Sequence, residues 1–461
     1  MTTSVLWFRR DLRLADHPAL AAAARSGDVV PLFVLDPRLL STGSARTGRL
    51  LASLINLRRA TGNVLVIRTG DPAAVVSEVA AEVSAETVHV SAETTPYGRR
   101  RDAIVAAHLD RAGRALVAAG SPYAVTPGRI LNRAGEPYRI FTPFLRAWRE
   151  HRWPAPACVP EVSWRSGVRS EELPAGATSV PAGEQDALAR WDSFRENELP
   201  GYADRRDRPD LDSTSRMSIP LKYGEIHPRT LLADLEPGDG RVDQASTERF
   251  RTELAWRDFY ADVLWHSPGS AWQDWRRDLS AMRYDDDPEL LEAWQRGHTG
   301  YPFVDAGMRQ LLGEGWMHNR VRMVTASFLV KDLHLWWPAG ARHFLTHLID
   351  GDLASNNHGW QWVAGTGTDA APYFRIFNPV TQGLRFDPDG DYVRRWVPEL
   401  RHLSGSAAHE PWRHPDGYAA GYPSRIVDHA EERREARPRL DQTRHHRASP
   451  QRTPQTGQDG S

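Results

Sequence analysis

The sequence predicts an α/β chain in two parts, a parallel-sheet domain at the N-terminus followed by an all-helical domain. Three observations predict this. Short apolar runs alternate with helical patterns up to about residue 130, whereas residues 185–430 are helical in pattern and rich in aromatic side chains. At 461 residues, 40% of them hydrophobic, the chain is also long enough to bury two cores.

The composition narrows the class of protein. Lys and Arg number 58 against 59 Asp and Glu, for a formal net charge of -1. The single cysteine, Cys158, excludes a disulfide framework, an iron–sulfur cluster and a zinc site built from several thiolates. No apolar run approaches the roughly 18 residues that a membrane span needs, and the first residues lack the apolar segment of a signal peptide. We therefore expect a cytoplasmic protein without a membrane partner.

The N-terminal domain, residues 1–130, contains five apolar runs that read as strands. Strands joined by helices form a parallel sheet covered on both faces, so a Rossmann-like layout is predicted. No G-x-G-x-x-G follows any of the runs, which excludes the usual dinucleotide fingerprint. The runs are VLWF, VVPLFVL, NVLVI, TVHVS and ALVAA.

The remaining boundaries follow from composition. Residues 131–184 are predicted to be an interdomain linker, because from 153 onward they are dominated by Pro, Gly, Ser and Ala with little periodicity. Residues 185–430 form the helical domain. Residues 431–461 are basic with very few apolar side chains, which predicts a disordered tail.

A stripe at helical spacing predicts a buried helix face within residues 248–265. Glu253 falls on this stripe, where an unpaired carboxylate is costly. The sequence therefore predicts either an ion pair with Arg257 at i+4 or contact with a ligand. The stripe consists of Trp256, Phe259, Tyr260 and Val263.

The segment GWMHNRVRM places Trp316, Asn319 and Met323 at i, i+3, i+7 spacing. An amide and a thioether beside a large ring suit a flat heteroaromatic ligand, and a buried core asparagine with satisfied hydrogen bonds is the alternative. Both interpretations remain open from the residues alone.

The run LIDGDLASNNHGWQWVAGTGTD concentrates polar side chains beside Trp360 and Trp362. Asp350 and Asp352 could form a cation loop, but the oxygen ligands do not recur at EF-hand spacing. Helix capping is the ordinary alternative, although so many polar residues favour a ligand site. Elsewhere no H-E-x-x-H, G-x-S-x-G or P-loop is present, so hydrolase, NTPase and metal sites are not predicted.

At these stretches the chain resembles the DNA photolyase/cryptochrome family, specifically the class I cyclobutane pyrimidine dimer photolyases of bacteria. The resemblance runs from VLWFRRDLRLADHPAL to about Asp428 and is strongest in TGYPFVDAGMRQLLGEGWMHNRVRM and in the run quoted above. It implies FAD in the helical domain and UV-damaged DNA as partner. The implied reaction is blue-light-driven dimer repair, in which reduced FAD passes an electron to a flipped-out dimer. The enzyme is expected to be a monomer.

The resemblance also implies roles for individual residues. Glu253 would hydrogen-bond the pyrimidine carbonyls, and Asn356 would face the flavin N5. Asp350 and Arg322 would pair beside the isoalloxazine, and the TSRMS turn would hold pyrophosphate. The implied FAD-facing set is Tyr202, Thr214, Ser215, Arg216, Met217, Ser218, Glu253, Arg257, Trp316, Asn319, Arg322, Asp350, Gly351, Asp352 and Asn356. The implied lesion contacts are Trp256, Met323 and Trp362, and the implied phosphate contacts are Arg206, Arg320 and Arg385.

A path for flavin photoreduction is implied as well. Trp360 and Trp337 match two of the three tryptophans that the family uses, and Tyr284 stands at the third position. The outer donor is therefore expected to be Tyr284 or a nearby tryptophan, namely Trp275, Trp294 or Trp336.

A second, light-harvesting chromophore is expected in the N-terminal domain. The sequence ETTPYGRRRD resembles the deazaflavin-type members, and Ala271 and Trp272 stand where folate-type members place other residues. We expect 8-hydroxy-5-deazaflavin, with methenyltetrahydrofolate as the alternative. The rival functions are a cryptochrome photoreceptor, a (6-4) photoproduct repair enzyme, and a DNA-binding protein that does not depend on light.

Overall fold

The computed structural model describes residues 2–40, 44–236, 243–279, 282–370, 372 and 375–448. Its N-terminal sheet has the order β3-β2-β1-β4-β5 with every pair parallel. Each strand overlaps one of the five predicted runs, although β3 shares only Val66 and Ile67 with the run NVLVI. The strands are β1 (Thr2–Phe8), β2 (Gly27–Leu35), β3 (Val66–Thr69), β4 (Thr87–Val90) and β5 (Ala115–Ala118).

Both faces of the sheet are buried, as a parallel sheet between helices requires. Along β1, Val5 and Trp7 enter one hydrophobic cluster, whereas Leu6 and Phe8 enter the cluster on the opposite face. Helices connect the strands and cover these faces. They are α1 (Pro18–Ala24), α2 (Pro37–Leu40), α3 (Ser44–Ala60), α4 (Pro72–Glu82) and α5 (Pro96–Arg111).

The predicted linker, 131–184, contains a helix that the sequence analysis missed, α6 (Phe141–His151). It forms because Phe141, Phe144 and Trp148 recur at i, i+3, i+7 and are all buried in the core of the helical domain. From 152 to 183 the chain is irregular apart from one bridge between Trp164 and Val29.

The helical domain follows, and its prediction as all-helical is confirmed. Two large apolar clusters form its core, one around α13 to α16 and one around α7 and α11. The helices are α7 (Glu184–Ser193), α8 (Tyr202–Arg205), α9 (Ser218–Tyr223), α10 (Pro228–Asp234), α11 (Gln244–His266), α12 (Pro288–Arg296), α13 (Pro302–Glu314), α14 (Asn319–Lys331), α15 (Trp337–His347), α16 (Leu353–Ala364), α17 (Pro379–Phe386) and α18 (Asp391–Trp396).

The predicted disordered tail is wrong in its first part, because residues 429–448 form a further helix, α19 (His429–Ala448). Two of its few apolar residues, Ala436 and Leu440, lie at i, i+4 and are buried against Leu279 and Met282. An ion pair and a hydrogen bond add to this contact: Arg439 binds Asp285 at 2.8 Å, and His334 Nε2 lies 3.0 Å from the Glu432 carboxylate. Residues 449–461 of the predicted tail lie outside the described residues.

No helix in the described ranges is both long enough and apolar enough to cross a membrane.

Candidate functional site

The candidate site lies where α16 packs against α11, α14 and α15. These helices carry the polar run 350–362, the stripe around Glu253 and the segment that follows Trp316. The fold therefore brings together three stretches that are separate in sequence.

A buried ion pair lies at the centre of this region. The Asp350 carboxylate accepts hydrogen bonds from Arg322 Nη2 at 2.8 Å and from Ser218 Oγ at 2.7 Å. The Asp350 side chain is 1% exposed, and Arg322 is held further by the Met317 carbonyl at 2.7 Å. The pairing of Asp350 with Arg322 implied by the resemblance is present in the structure.

The turn from Thr214 to Ser218 is held by Arg190, which donates to the Thr214 carbonyl at 2.6 Å and to the Ser215 carbonyl at 3.1 Å. Arg216 adopts a left-handed backbone conformation, with φ of 54°, and Ser215 Oγ accepts the Met217 amide at 3.2 Å. Arg190 and the hydrogen bond within the turn therefore fix its backbone, and the hydroxyl of its last residue, Ser218, donates to Asp350.

Trp316 lies next to this turn, with the Arg216 guanidinium 4.3 Å from its ring centroid. The predicted helical spacing from Trp316 to Met323 is wrong, because α14 begins only at Asn319, after the His318 cap. Asn319 is exposed, so it is not a buried core amide, and Met323 is half-buried.

Asp352 caps α16 by accepting the Ser355 amide at 3.0 Å, so helix capping is part of its role. It also binds Arg10 of the N-terminal domain at 2.8 Å. Burial alone would raise the pKa of Asp352, but Arg10, Lys222 and Arg257 outweigh burial and hold that pKa below its usual range. Asp352 is therefore an ionised buried carboxylate.

Gly351 separates the two aspartates and is buried. One turn into α16, the Asn356 amide nitrogen donates to the Asn357 side chain at 2.8 Å and to the Ala341 carbonyl at 3.2 Å. Asn356 is half-buried, and its orientation is set by these two acceptors.

Glu253 is paired, but the predicted partner is wrong. Its carboxylate accepts a hydrogen bond from Arg206 and lies 3.7 Å from Arg249. Arg257 instead donates to the carbonyls of Pro122, at 2.8 Å, and Leu221, at 3.3 Å. Helical spacing predicted Arg257 as the partner, whereas the arginine that pairs with Glu253 is Arg206, 47 residues away in sequence.

Tyr202 lies behind this pair, 7% exposed, with the Arg206 guanidinium 5.9 Å from its ring centroid. Burial first and Glu253 second raise the pKa of the Tyr202 hydroxyl, so Tyr202 stays protonated. On the helices that frame the same region, Trp256 of α11 and Trp362 of α16 are both half-buried.

The three predicted phosphate-binding arginines differ in accessibility. Arg206 and Arg320 are held by carboxylates, and Arg320 binds Asp207 at 2.8 Å with its side chain 17% exposed. Arg385 is exposed. Arg320 and Arg385 nevertheless converge, with guanidinium groups 4.5 and 5.1 Å from the ring centroid of Phe386.

Two of the predicted electron-path residues are core side chains. Trp360 is 3% exposed and Trp337 is fully buried, with its indole nitrogen donating to Asp274 at 2.7 Å. The Trp360 ring lies against Gly340 of α15, where any Cβ would overlap the ring. Gly340 is therefore required for the position of Trp360.

The outer end of this path offers different side chains. Tyr284 is half-buried and precedes Asp285, whose amide donates to the His334 carbonyl at 2.9 Å. Trp336, adjacent to Trp337, is 43% exposed. Trp294 is fully buried, 5.9 Å from Trp360 between ring centroids.

Among the buried polar atoms of this region that have no hydrogen-bond partner in the described part of the chain are Thr214 Oγ1, Trp316 Nε1 and Asp350 Oδ1. A hydroxyl, an indole N–H and a carboxylate oxygen together match a ligand that carries both donors and acceptors. FAD, with phosphate, ribose and a heteroaromatic ring, fits this set. Within the described residues, no group of three His, Cys, Asp or Glu side chains could hold a metal ion.

Comparison with known protein families also indicates a FAD site in the helical domain. Residues 4–161 match the model of the DNA photolyase domain, and residues 250–442 match the FAD binding domain of DNA photolyase. A deoxyribodipyrimidine photo-lyase of Escherichia coli is 40% identical over 94% of this chain and 97% of its own length. The chain belongs to the photolyase/cryptochrome family.

Another deoxyribodipyrimidine photo-lyase, from Streptomyces griseus, is 41% identical over 94% of this chain and 98% of its own length. Among solved structures, a class III photolyase from Agrobacterium tumefaciens is 36% identical with a TM-score of 0.88, covering 96% of this chain and 98% of that one. A Synechocystis cryptochrome is 28% identical with a TM-score of 0.89, covering 95% and 99%.

Two residues that hold this photolyase-like site were missed from the sequence. Arg10 reaches Asp352 from 342 residues away, and Arg190 fixes the 214–218 turn through backbone carbonyls. No local spacing links either arginine to its partners, so only the tertiary structure identifies them.

Proposed function

We propose that this protein is a deoxyribodipyrimidine photolyase that binds UV-damaged DNA and splits cyclobutane pyrimidine dimers under blue light. The observation that carries the proposal is the placement of Glu253 and two half-buried tryptophans, Trp256 and Trp362, on helices that also frame the Asp350–Arg322 pair. The names of the relatives at about 40% identity support the same reaction.

The residues that would hold FAD divide by chemistry. The turn from Thr214 to Ser218 offers hydroxyls and backbone amides to pyrophosphate. Arg322, fixed by Asp350, offers a cation beside the ring system, and Asn356 offers an amide. Bound and reduced, FAD supplies the electron that blue light releases. The protein's part is to orient the flavin and to exclude water from it.

On the lesion side, Glu253 is oriented by Arg206 and Arg249, so its carboxylate is held in one place before substrate arrives. A preorganised hydrogen-bonding group in a partly dry pocket stabilises developing charge more than the same group in water. Trp256 and Trp362 supply aromatic surfaces, and Met323 supplies an adaptable apolar wall. Damage lowers the cost of flipping a base out, which adds to selectivity.

The DNA backbone would be contacted by Arg385 directly, and by Arg320 after exchange of Asp207 for phosphate. Arg206 would reach phosphate only with N–H groups that do not hold Glu253. Only Arg385 is exposed before binding. Replacing Arg385 with Ala is therefore expected to reduce the salt dependence of DNA binding by about one unit in the slope.

Binding tests the proposal at equilibrium. The purified protein should carry flavin absorbance, and it should bind an oligonucleotide with one dimer more tightly than the undamaged strand at fixed salt. Replacing Glu253 with Ala should reduce this preference while flavin content is retained. A protein without flavin, or with equal affinity for both strands, would refute the proposal.

For photoreduction we assign Trp360 and Trp337 to the inner path. Two side chains compete for its outer end, Tyr284 and the more exposed Trp336. The rate of flavin photoreduction in Tyr284→Phe and Trp336→Phe decides between them, because only loss of the true outer donor slows it.

The antenna chromophore is assigned to a cavity of about 240 Å³ in the N-terminal domain, lined in part by Arg38, Tyr97, Arg100 and Arg101. Tyr97, Arg100 and Arg101 belong to the ETTPYGRRRD segment, and the guanidinium groups of the two arginines suit an acidic ring such as 8-hydroxy-5-deazaflavin. Burial first and Asp36 second raise the pKa of Tyr97 to about 12, so its hydroxyl stays protonated and donates to Asp36.

Reconstitution tests this assignment. Separate arms with 8-hydroxy-5-deazaflavin, methenyltetrahydrofolate and FAD should show energy transfer for the first compound and loss of transfer in Arg101→Ala. The FAD arm is included because an archaeal relative from Sulfolobus tokodaii is described with two FAD molecules. Monomeric state and cytoplasmic location complete the proposal, and light scattering and cell fractionation check them.

A further inference from the structure

The indole of Trp256 is stacked on another ring. The rings of Phe141 and Trp256 lie 3.6 Å apart between centroids, with 8° between their planes. Phe141 is 6% exposed, whereas Trp256 is half-buried. Phe141 therefore covers one face of the indole, and the accessible part of Trp256 lies on the remainder of its ring system.

Phe141 is itself held from a distant part of the chain. It is the first residue of α6, and the capping residue Ile140 makes no side-chain hydrogen bond to the helix. Instead, Asp369 Oδ2 accepts the Phe141 amide at 3.0 Å, and Thr368 Oγ1 donates to the Arg139 carbonyl at 2.5 Å. The loop after α16 thus caps α6.

Asp369 adopts a left-handed backbone conformation, with φ of 48°, which Asp and Asn tolerate better than most residues. This conformation accompanies the hydrogen bond that Asp369 makes across 228 positions of sequence. An exposed residue in a sparsely populated conformation, with a long-range hydrogen bond, indicates a specific placement of this loop.

Phe141 and Phe144 of α6 are both buried in the core, but their rings make different contacts. Phe144, one turn later on α6, already fills the core next to Phe259, at 5.1 Å between centroids, and contacts Tyr138 at 6.4 Å. Phe141 reaches Phe259 edge-on at 5.7 Å, but its closest ring contact is the parallel one with Trp256.

We infer that Phe141 and Asp369 are positioning residues for lesion recognition: they hold the Trp256 indole in the orientation that receives the flipped dimer. This inference rests on the proposed function. The Phe141 ring stacks on Trp256 of α11, and the Phe141 amide donates to Asp369 in the loop that follows Trp362 on α16. These two contacts add a link between the aromatic walls of the lesion site.

The test uses the flavin-loaded protein and an oligonucleotide with one dimer beside its undamaged counterpart. Phe141→Leu keeps apolar volume but removes the stack, and it should reduce the preference for damaged DNA roughly two- to tenfold. Light-driven turnover at saturating substrate should be unchanged, because the reacting groups are untouched. Affinity for undamaged DNA should also be unchanged.

Phe144→Leu is the matched control, since it removes a ring from the same helix without touching the stack. It should lower the melting temperature yet keep the preference. Asp369→Ala should weaken the preference, and Asp369→Asn, which keeps an acceptor and tolerates the backbone conformation, should restore it.

The outcomes are distinct. Wild-type preference in Phe141→Leu, or an equal loss in Phe144→Leu, would overturn the inference. Absence of any preference in the wild-type protein would instead overturn the proposed function.

Discussion

Replacing Asp350 with Asn tests the buried pair on which the cofactor site depends. Asn has the same shape but no charge and only one acceptor oxygen. In the native protein a single carboxylate oxygen, Oδ2, accepts both Arg322 at 2.8 Å and Ser218 at 2.7 Å, so the substitution removes the negative charge and weakens both hydrogen bonds.

The magnitude follows from burial. Breaking a fully buried pair costs about 3–5 kcal/mol, and a hydrogen bond to a charged group contributes about 1.5–3 kcal/mol. Asp350 is 1% exposed, but Arg322 is 24% exposed and keeps its hydrogen bond to the Met317 carbonyl. Water and this backbone acceptor therefore offset part of the stability lost with the charge of Asp350. We expect a loss of about 2 kcal/mol in the free energy of unfolding, together with reduced retention of FAD.

The assay is urea unfolding followed by circular dichroism, with flavin content measured after gel filtration. Asp391→Asn is the matched control: its ion pair with Arg394 has an aspartate that is 60% exposed, so little change is expected. Unaltered unfolding and unaltered flavin content in Asp350→Asn would refute the reasoning.

Three further predictions follow from other parts of the structure. Burial lowers the pKa of His318 from 6.5 to about 4, so the folded state resists its protonation and the free energy of unfolding falls as pH drops below 6.5. His318→Asn keeps an acceptor for the helix cap but cannot be protonated. The variant should therefore lose about 2 kcal/mol less unfolding free energy than the wild type between pH 7 and pH 5. Leu440→Ala should lower the unfolding free energy by about 2 kcal/mol, because this α19 side chain is 6% exposed; an unchanged value would favour a tail that does not pack. Gly340→Val should displace Trp360 and slow flavin photoreduction, and a wild-type rate would show that the close packing is unnecessary.

Much of the fold could be predicted because its signals are local. Each strand of the parallel sheet contains or overlaps a short apolar run, and helical patterns separate these runs along the chain. The helix α6 was missed because only three apolar anchors, Phe141, Phe144 and Trp148, mark it within a segment rich in Pro and Gly. In α19 the two buried apolar residues are outnumbered by charges, so composition indicated disorder.

The site was predicted where sequence resemblance could place residues, and missed where partners are distant. Asp350 and Arg322 do pair, as the resemblance implied. Glu253 pairs with Arg206 and not with the residue one helical turn away, because the geometry of α8 against α11 decides the contact. Arg10 enters from the other domain, and no periodicity within one helix carries that information.

The most direct test of the central claim is the amount of dimer left in a defined oligonucleotide after incubation with the flavin-loaded, reduced protein. Matched samples are kept in the dark or under blue light, and Glu253→Ala serves as the impaired variant. The proposed function predicts loss of the dimer under blue light only, with the two separate pyrimidines restored and a slower rate in the variant. Equal dimer content in the dark and in the light would contradict it.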